Sequence, residues 1–95
     1  MRHTAISVLL ALMLVASCDI SRAGPTVVTN TGSEEFLNLR AGPGLGFGVI
    51  LGLPEGTPLT RRSCVTEFGQ LWCQVSLNAA PQITGYVSAD YLSAP

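Results

Sequence analysis

The side chains that could do chemistry are few and scattered. The one histidine, His3, stands in a basic opening triplet, Met1-Arg2-His3, ahead of an apolar run. A Ser–His or Cys–His nucleophile needs an imidazole to take its proton, and none follows His3. Glu34 and Glu35 are neighbours, but adjacent side chains on an extended chain point to opposite sides. They make a poor acid/base couple and read as a solvated strand entry. Glu55, Glu67 and Asp90 fall in separate turns. The glycine-rich stretch Ala41 to Gly48 (AGPGLGFG) matches neither G-x-G-x-x-G nor a P-loop, since no lysine follows it. It reads as a turn. These patterns point away from catalysis and imply no cofactor.

Cys64 and Cys73 carry the one covalent possibility in the body of the chain. Their C-x8-C spacing is not the C-x-x-C of a thiol oxidoreductase, and no histidine lies nearby to complete a zinc site. A turn near Phe68-Gly69 places them on neighbouring antiparallel strands, roughly opposite each other, where a disulfide fits. Closing a loop of about ten residues contributes on the order of 2–3 kcal/mol in the chain-entropy model, a large share for a small domain.

The chain has 95 residues and a formal net charge of -1, so it makes one domain at most and has no electrostatic claim on nucleic acid or an anionic membrane. Its apolar excess sits at the start. Ala5 to Ala16 (AISVLLALMLVA) is uncharged and too short to span a hydrocarbon core of roughly 30 Å. Lacking a polar face, it reads as the h-region of an export signal. Two processing routes stay open. Ser21-Arg22-Ala23 places small residues at -3 and -1 for a cut before Gly24, giving a signal peptide over residues 1–23. Val15-Ala16-Ser17-Cys18 resembles a bacterial lipobox, with cleavage before Cys18 and lipidation of that cysteine. Either route leaves Cys64 and Cys73 as an even pair in an oxidising compartment. With lipidation, residues 24–35 would be a linker or tether. Asp19 would then favour retention at the inner membrane, by the rule of enteric bacteria. Val27-Val28-Thr29 could equally add a strand.

Beyond Gly24 no helical periodicity appears, and Gly, Pro and Asn punctuate strand-sized stretches. Strands are predicted at 36–40, 49–53, 57–64, 71–77 and 83–87, with a tight helical turn at 88–92. That pattern predicts an all-β fold, a small β-barrel of about five strands. Leu37, Leu39, Val49, Leu53, Leu59, Val75 and Val87 form the predicted core. Gly42, Gly44, Gly46, Gly48 and Gly56 are expected to supply positive φ, and Gly85 to let a strand approach closely. Phe47, Trp72, Tyr86 and Tyr91 are the aromatic residues expected at the surface, Trp72 because it alternates with inward Cys73. Asn38 and Arg40 face outward on the first strand. These six are the candidate ligand-binding residues. The blander alternatives are that Trp72 and Tyr91 pack together to close the barrel edge, and that Asn38 and Arg40 form a solvated strand face.

The order of short motifs adds a resemblance. Leu37-Asn38-Leu39-Arg40-Ala41-Gly42-Pro43-Gly44 resembles the L-N-V-R-S-G-P-S opening of bacterial SH3-like (SH3b) domains. Val49-Ile50 with Leu53-Pro54-Glu55-Gly56-Thr57 is similar to their V-I-x-x-L-x-x-G-T step, and Leu71-Trp72-Cys73-Gln74-Val75 to their G-W-x-x-V strand. Gly85-Tyr86-Val87-Ser88-Ala89-Asp90-Tyr91-Leu92 resembles the G-Y/W-V-x-x-x-Y-L ending. Leu71 departs from the usual glycine, and the loop from Leu77 to Gly85 is longer and more apolar. The resemblance implies an SH3-like domain over residues 36–95, exported to the periplasm and non-catalytic. Its expected role is a cell-envelope module that recognises peptidoglycan or its peptides. Two further readings stand beside it: an adaptor or inhibitor of another periplasmic protein, mildly favoured by the apolar Leu77–Gln82 insertion, and a subunit that acts only within an assembly. The expected partners are a cell-wall peptide or a periplasmic protein, with no nucleic acid, and a membrane only through a lipid on Cys18. The chain is expected to be a monomer.

Overall fold

The computed structural model describes residues 23–32 and 34–95. The apolar run 5–16 and Cys18, with the cleavage site before it, lie outside the described residues, as do Ser21 and Arg22 of the other site, whose cut would fall at the start of the first strand.

Alternation along the chain decides each strand's buried face. In β2 (Phe36–Arg40) Leu37 and Leu39 are buried while Phe36 and Asn38 are exposed. β3 (Val49–Pro54) pairs antiparallel with it, and Pro54-Glu55-Gly56 ends that strand, with Gly56 at φ 83° as its turn requires. β4 (Pro58–Glu67) and β5 (Gln70–Leu77) form the longest ladder, joined by the two-residue turn Phe68-Gly69. Both turn residues have positive φ, 50° and 79°, as in the type I′ hairpins whose twist matches that of the strands. β6 (Thr84–Ser88) follows, then a single 3₁₀ turn at Ala89–Tyr91 and the short β7 (Leu92–Ser93). The Ser88 side chain caps that turn by accepting from the Asp90 N–H at 3.3 Å.

Residues 24–28, for which the sequence left tether and strand both open, form β1 (Gly24–Val28). It pairs with β4 and β7, its Thr26 hydroxyl donates to the Ser93 carbonyl at 2.7 Å, and Val28 is buried. The sheet order is β3-β2-β6-β5-β4-β1-β7, an all-β SH3-like barrel of seven strands where five were expected. The two extra strands are short: β1 is carried chiefly by its pairing with β4, and β7 by its pairing with β1, rather than by a long apolar pattern.

Val28, Leu37, Leu39, Leu53, Leu59, Val75 and Val87 form the core cluster, with Leu51, Leu77, Ile83 and Leu92 packed against it. The expected member Val49 is not in it and is 49% exposed. A bulge is the cause: Leu39 opposes Leu51 but Arg40 opposes Val49, so Ile50 is an extra residue and Val49 shares the outward side of Arg40. Gly85 behaves as expected. A Cβ there would stand 2.7 Å from the Arg40 carbonyl oxygen and 2.8 Å from the Leu39 side chain, so only glycine lets β6 close on β2.

Cys64 and Cys73 are direct partners across the β4–β5 ladder and are joined by a disulfide, with Cα atoms 4.0 Å apart. Cys73 is fully buried beneath it. A second tie holds the N-terminal side. The Glu55 carboxylate accepts from the Thr31 hydroxyl at 2.6 Å and from the Thr31 N–H at 2.9 Å. Those two bonds, chiefly the hydroxyl, hold its pKa below the usual carboxylate value.

Two outcomes follow. Reduction of the disulfide, or Cys64→Ala with Cys73→Ala, should lower unfolding stability by about 2–3 kcal/mol in urea titrations without altering the strand content of the folded state. Because the native pKa of Glu55 is lowered, its contribution is present above the unfolded value, taken as 4.5, and is lost as pH falls through the native value. The wild type should therefore lose more stability below that pH than Glu55→Gln, as read from urea midpoints against pH.

Candidate functional site

Residues of β5, the 3₁₀ turn, the β4–β5 hairpin tip and the glycine loop (residues 41–48) come together on one side of the sheet. Two depressions open there. The smaller, of about 240 Å³, is lined by Asn38, Arg40, Leu45, Trp72, Ser88 and Tyr91, with Phe36 and others at its margin. The larger, of about 880 Å³, lies between the loop tip at 43–47 and the hairpin residues Glu67, Phe68 and Gln70. Trp72, Ser88, Asp90 and Tyr91 complete its lining. Leu45, Trp72, Ser88 and Tyr91 belong to both, so the two depressions share one wall.

Trp72 corrects an expectation. Alternation with Cys73 does place it outside the core cluster, but it is 6% exposed rather than a surface ring. Alternation gives the side of the sheet a residue faces; it cannot show that another segment covers that side. Of the other five candidates, Asn38, Arg40 and Tyr91 line the smaller depression, and Phe47 and Tyr91 the larger. Tyr86 lines neither. It is half-buried on β6, opposite Gln74 of β5 and Arg40 of β2.

The glycine loop is shaped by two contacts. Arg40 sends Nη1 to the Leu45 carbonyl at 3.1 Å and to the Phe47 carbonyl at 3.0 Å. The Phe47 ring lies over Gly42, and a Cβ at 42 would collide with it. Positive φ is therefore not what the loop demands. None of Gly42, Gly44, Gly46 and Gly48 has it, contrary to expectation, and at Gly42 the requirement is close approach of an aromatic ring. Arg40, read from sequence as an outward ligand group, is half-buried and bonded to the loop it positions.

The opposite rim is held by side-chain bonds. Gln70 Nε2 donates to Ser88 Oγ at 2.8 Å and to the Leu71 carbonyl at 3.1 Å, linking β5 to the start of the 3₁₀ turn. Gln70, Ser88, Leu45 and Phe68 are site residues that sequence reasoning passed over. Only Phe68 left a signal: an aromatic residue in a two-residue turn that wants φ > 0 is a poor choice for folding alone. The site offers aromatic and aliphatic surface with a few fixed polar groups, the chemistry of binding by shape and partial desolvation.

Arg40→Met should keep the barrel and lose the two loop bonds, costing about 1 kcal/mol. Faster amide exchange and proteolysis confined to residues 41–48 would show it; unchanged loop protection would show that Arg40 does not hold the loop.

Residues 35–93 match the family model described as the bacterial SH3 domain. No curated protein and no solved structure matches the chain.

Proposed function

This chain belongs to the bacterial SH3 domain family, and from that membership we propose an exported, non-catalytic binding module of the cell envelope that recognises peptidoglycan or its peptides. The family is often involved in cell-wall binding. The observation that carries the reading is the shared wall of Leu45, Trp72, Ser88 and Tyr91 between two depressions, a groove open to a short extended ligand. The Cys64–Cys73 disulfide suits an oxidising compartment outside the cytoplasm. Export would use the 1–23 segment, or cleavage before Cys18 with its lipidation. In the lipidated form β1 begins only six residues after Cys18, so the barrel would sit within roughly 20 Å of the bilayer surface.

A second reading has its own support. Leu45, Phe47 and Phe68 on the rims of the larger depression are all exposed, an apolar patch of the kind that adaptors and inhibitors present to a protein partner.

Co-sedimentation of the oxidised protein, residues 24–95, with purified peptidoglycan sacculi separates the two. Saturable binding, weakened about tenfold by Tyr91→Ala, is the expected result. Tyr91 is the better probe because truncating buried Trp72 would cost about 3–5 kcal/mol of stability and confuse loss of fold with loss of binding. No sedimentation at any concentration would overturn the wall reading in favour of the protein partner.

A further inference from the structure

The larger depression carries charge of one sign. Glu67 from the hairpin and Asp90 from the 3₁₀ turn are the charged residues lining it, and no basic residue does. Neither carboxylate is hydrogen-bonded or ion-paired through its side chain among the described residues. The nearest cation in the site, Arg40, lines the smaller depression and donates to the Leu45 and Phe47 carbonyls. The rings of Trp72, Tyr91, Phe47 and Phe68 line the same depression as the two carboxylates. Phe68 is wholly exposed at 105% and held at φ 50°, a backbone region costly for an aromatic residue. Folding gains nothing from burying that ring, since it buries none of it.

Negative charge without positive charge, beside aromatic faces, selects a cation over an anion. A carboxylate ligand would meet two like charges and no cation here. An ammonium meets two negative charges and the negative faces of aromatic rings. We propose that the groove takes a peptide bearing a free primary amine, its ammonium seated between Glu67 and Asp90 and its apolar portion against Trp72, Tyr91 and Phe68. The inference rests on the wall-binding reading where the peptide belongs to peptidoglycan, but the groove chemistry stands apart from that source.

Two arms keep the failures distinct. In the first, a blocked pentapeptide with one central lysine and its Nε-acetylated twin are titrated against the full folded domain, following Trp72 fluorescence. The expected result is binding of the free amine about tenfold tighter than the acetylated form. That preference should weaken with salt and vanish in Glu67→Gln/Asp90→Asn, which keeps side-chain size and leaves the core untouched. Equal binding of the two peptides, or no binding of either, overturns the ammonium site. In the second arm, sacculi are compared before and after acetylation of their free amines. Binding to both alike keeps the wall reading and overturns the ammonium site; binding lost on acetylation supports both. Binding to neither preparation overturns the wall reading alone, and the peptide arm then decides the site.

Discussion

Cys64 and Cys73 face each other across β4 and β5, in the part of the sheet to which the other elements are attached. β4 carries β1 on its far side, and β5 carries β6, through which β2 and β3 are joined. The ladder is pinned at one end by a tight turn and near its middle by a covalent bond, so its register cannot slip. That constraint matters because a one-residue slip would turn Trp72 into the core and Cys73 out of it. A domain with so small an apolar core has little other protection against such an error. The same hairpin delivers Glu67, Phe68 and Gln70 to the rim of the larger depression. One element thus supplies both the frame and half of the groove.

The other half comes from a loop that is glycine-rich for packing reasons. Phe47 folds over Gly42, and Arg40 reaches back from β2 to two loop carbonyls. Arg40 also lies beside the bulge that turns Val49 outward. One irregularity in the β2–β3 ladder therefore removes a residue from the core at the point where the loop begins. An exposed loop with few buried contacts would otherwise be mobile, and a groove wall that moves loses affinity to ordering entropy.

The N-terminal strand plays a quieter part. Val28 closes the core, and the backbone of that strand's end is bonded to the β3–β4 turn, Gly56 N–H to the Val28 carbonyl at 2.8 Å and Val28 N–H to the Thr57 carbonyl at 3.1 Å. Glu55 adds its hold on Thr31 next to it. Residues lying before the family match are thus part of the fold.

Period-two alternation and turn residues were enough, in the sequence alone, for the all-β class, the ranges of five strands, six of the seven core side chains, the hairpin disulfide and the role of Gly85. Those are local properties or follow from two strands and one turn, and the four ordered motifs named the family by the same short-range signals. Tertiary structure alone decided the rest. Val28 joined the core and Val49 left it because pairing partners and a bulge, not alternation, settle which side of a strand is covered. Trp72 was placed on the correct side of β5, yet its burial depends on how other elements close on that side, which alternation does not record. Arg40 is a loop pin rather than a free outward charge, because its acceptors are carbonyls of an aperiodic loop five and seven residues on, and Tyr86 lies opposite Gln74 and Arg40 rather than in the groove, which strand pairing decides. A groove is the space between elements, and its lining is set by how they close on one another.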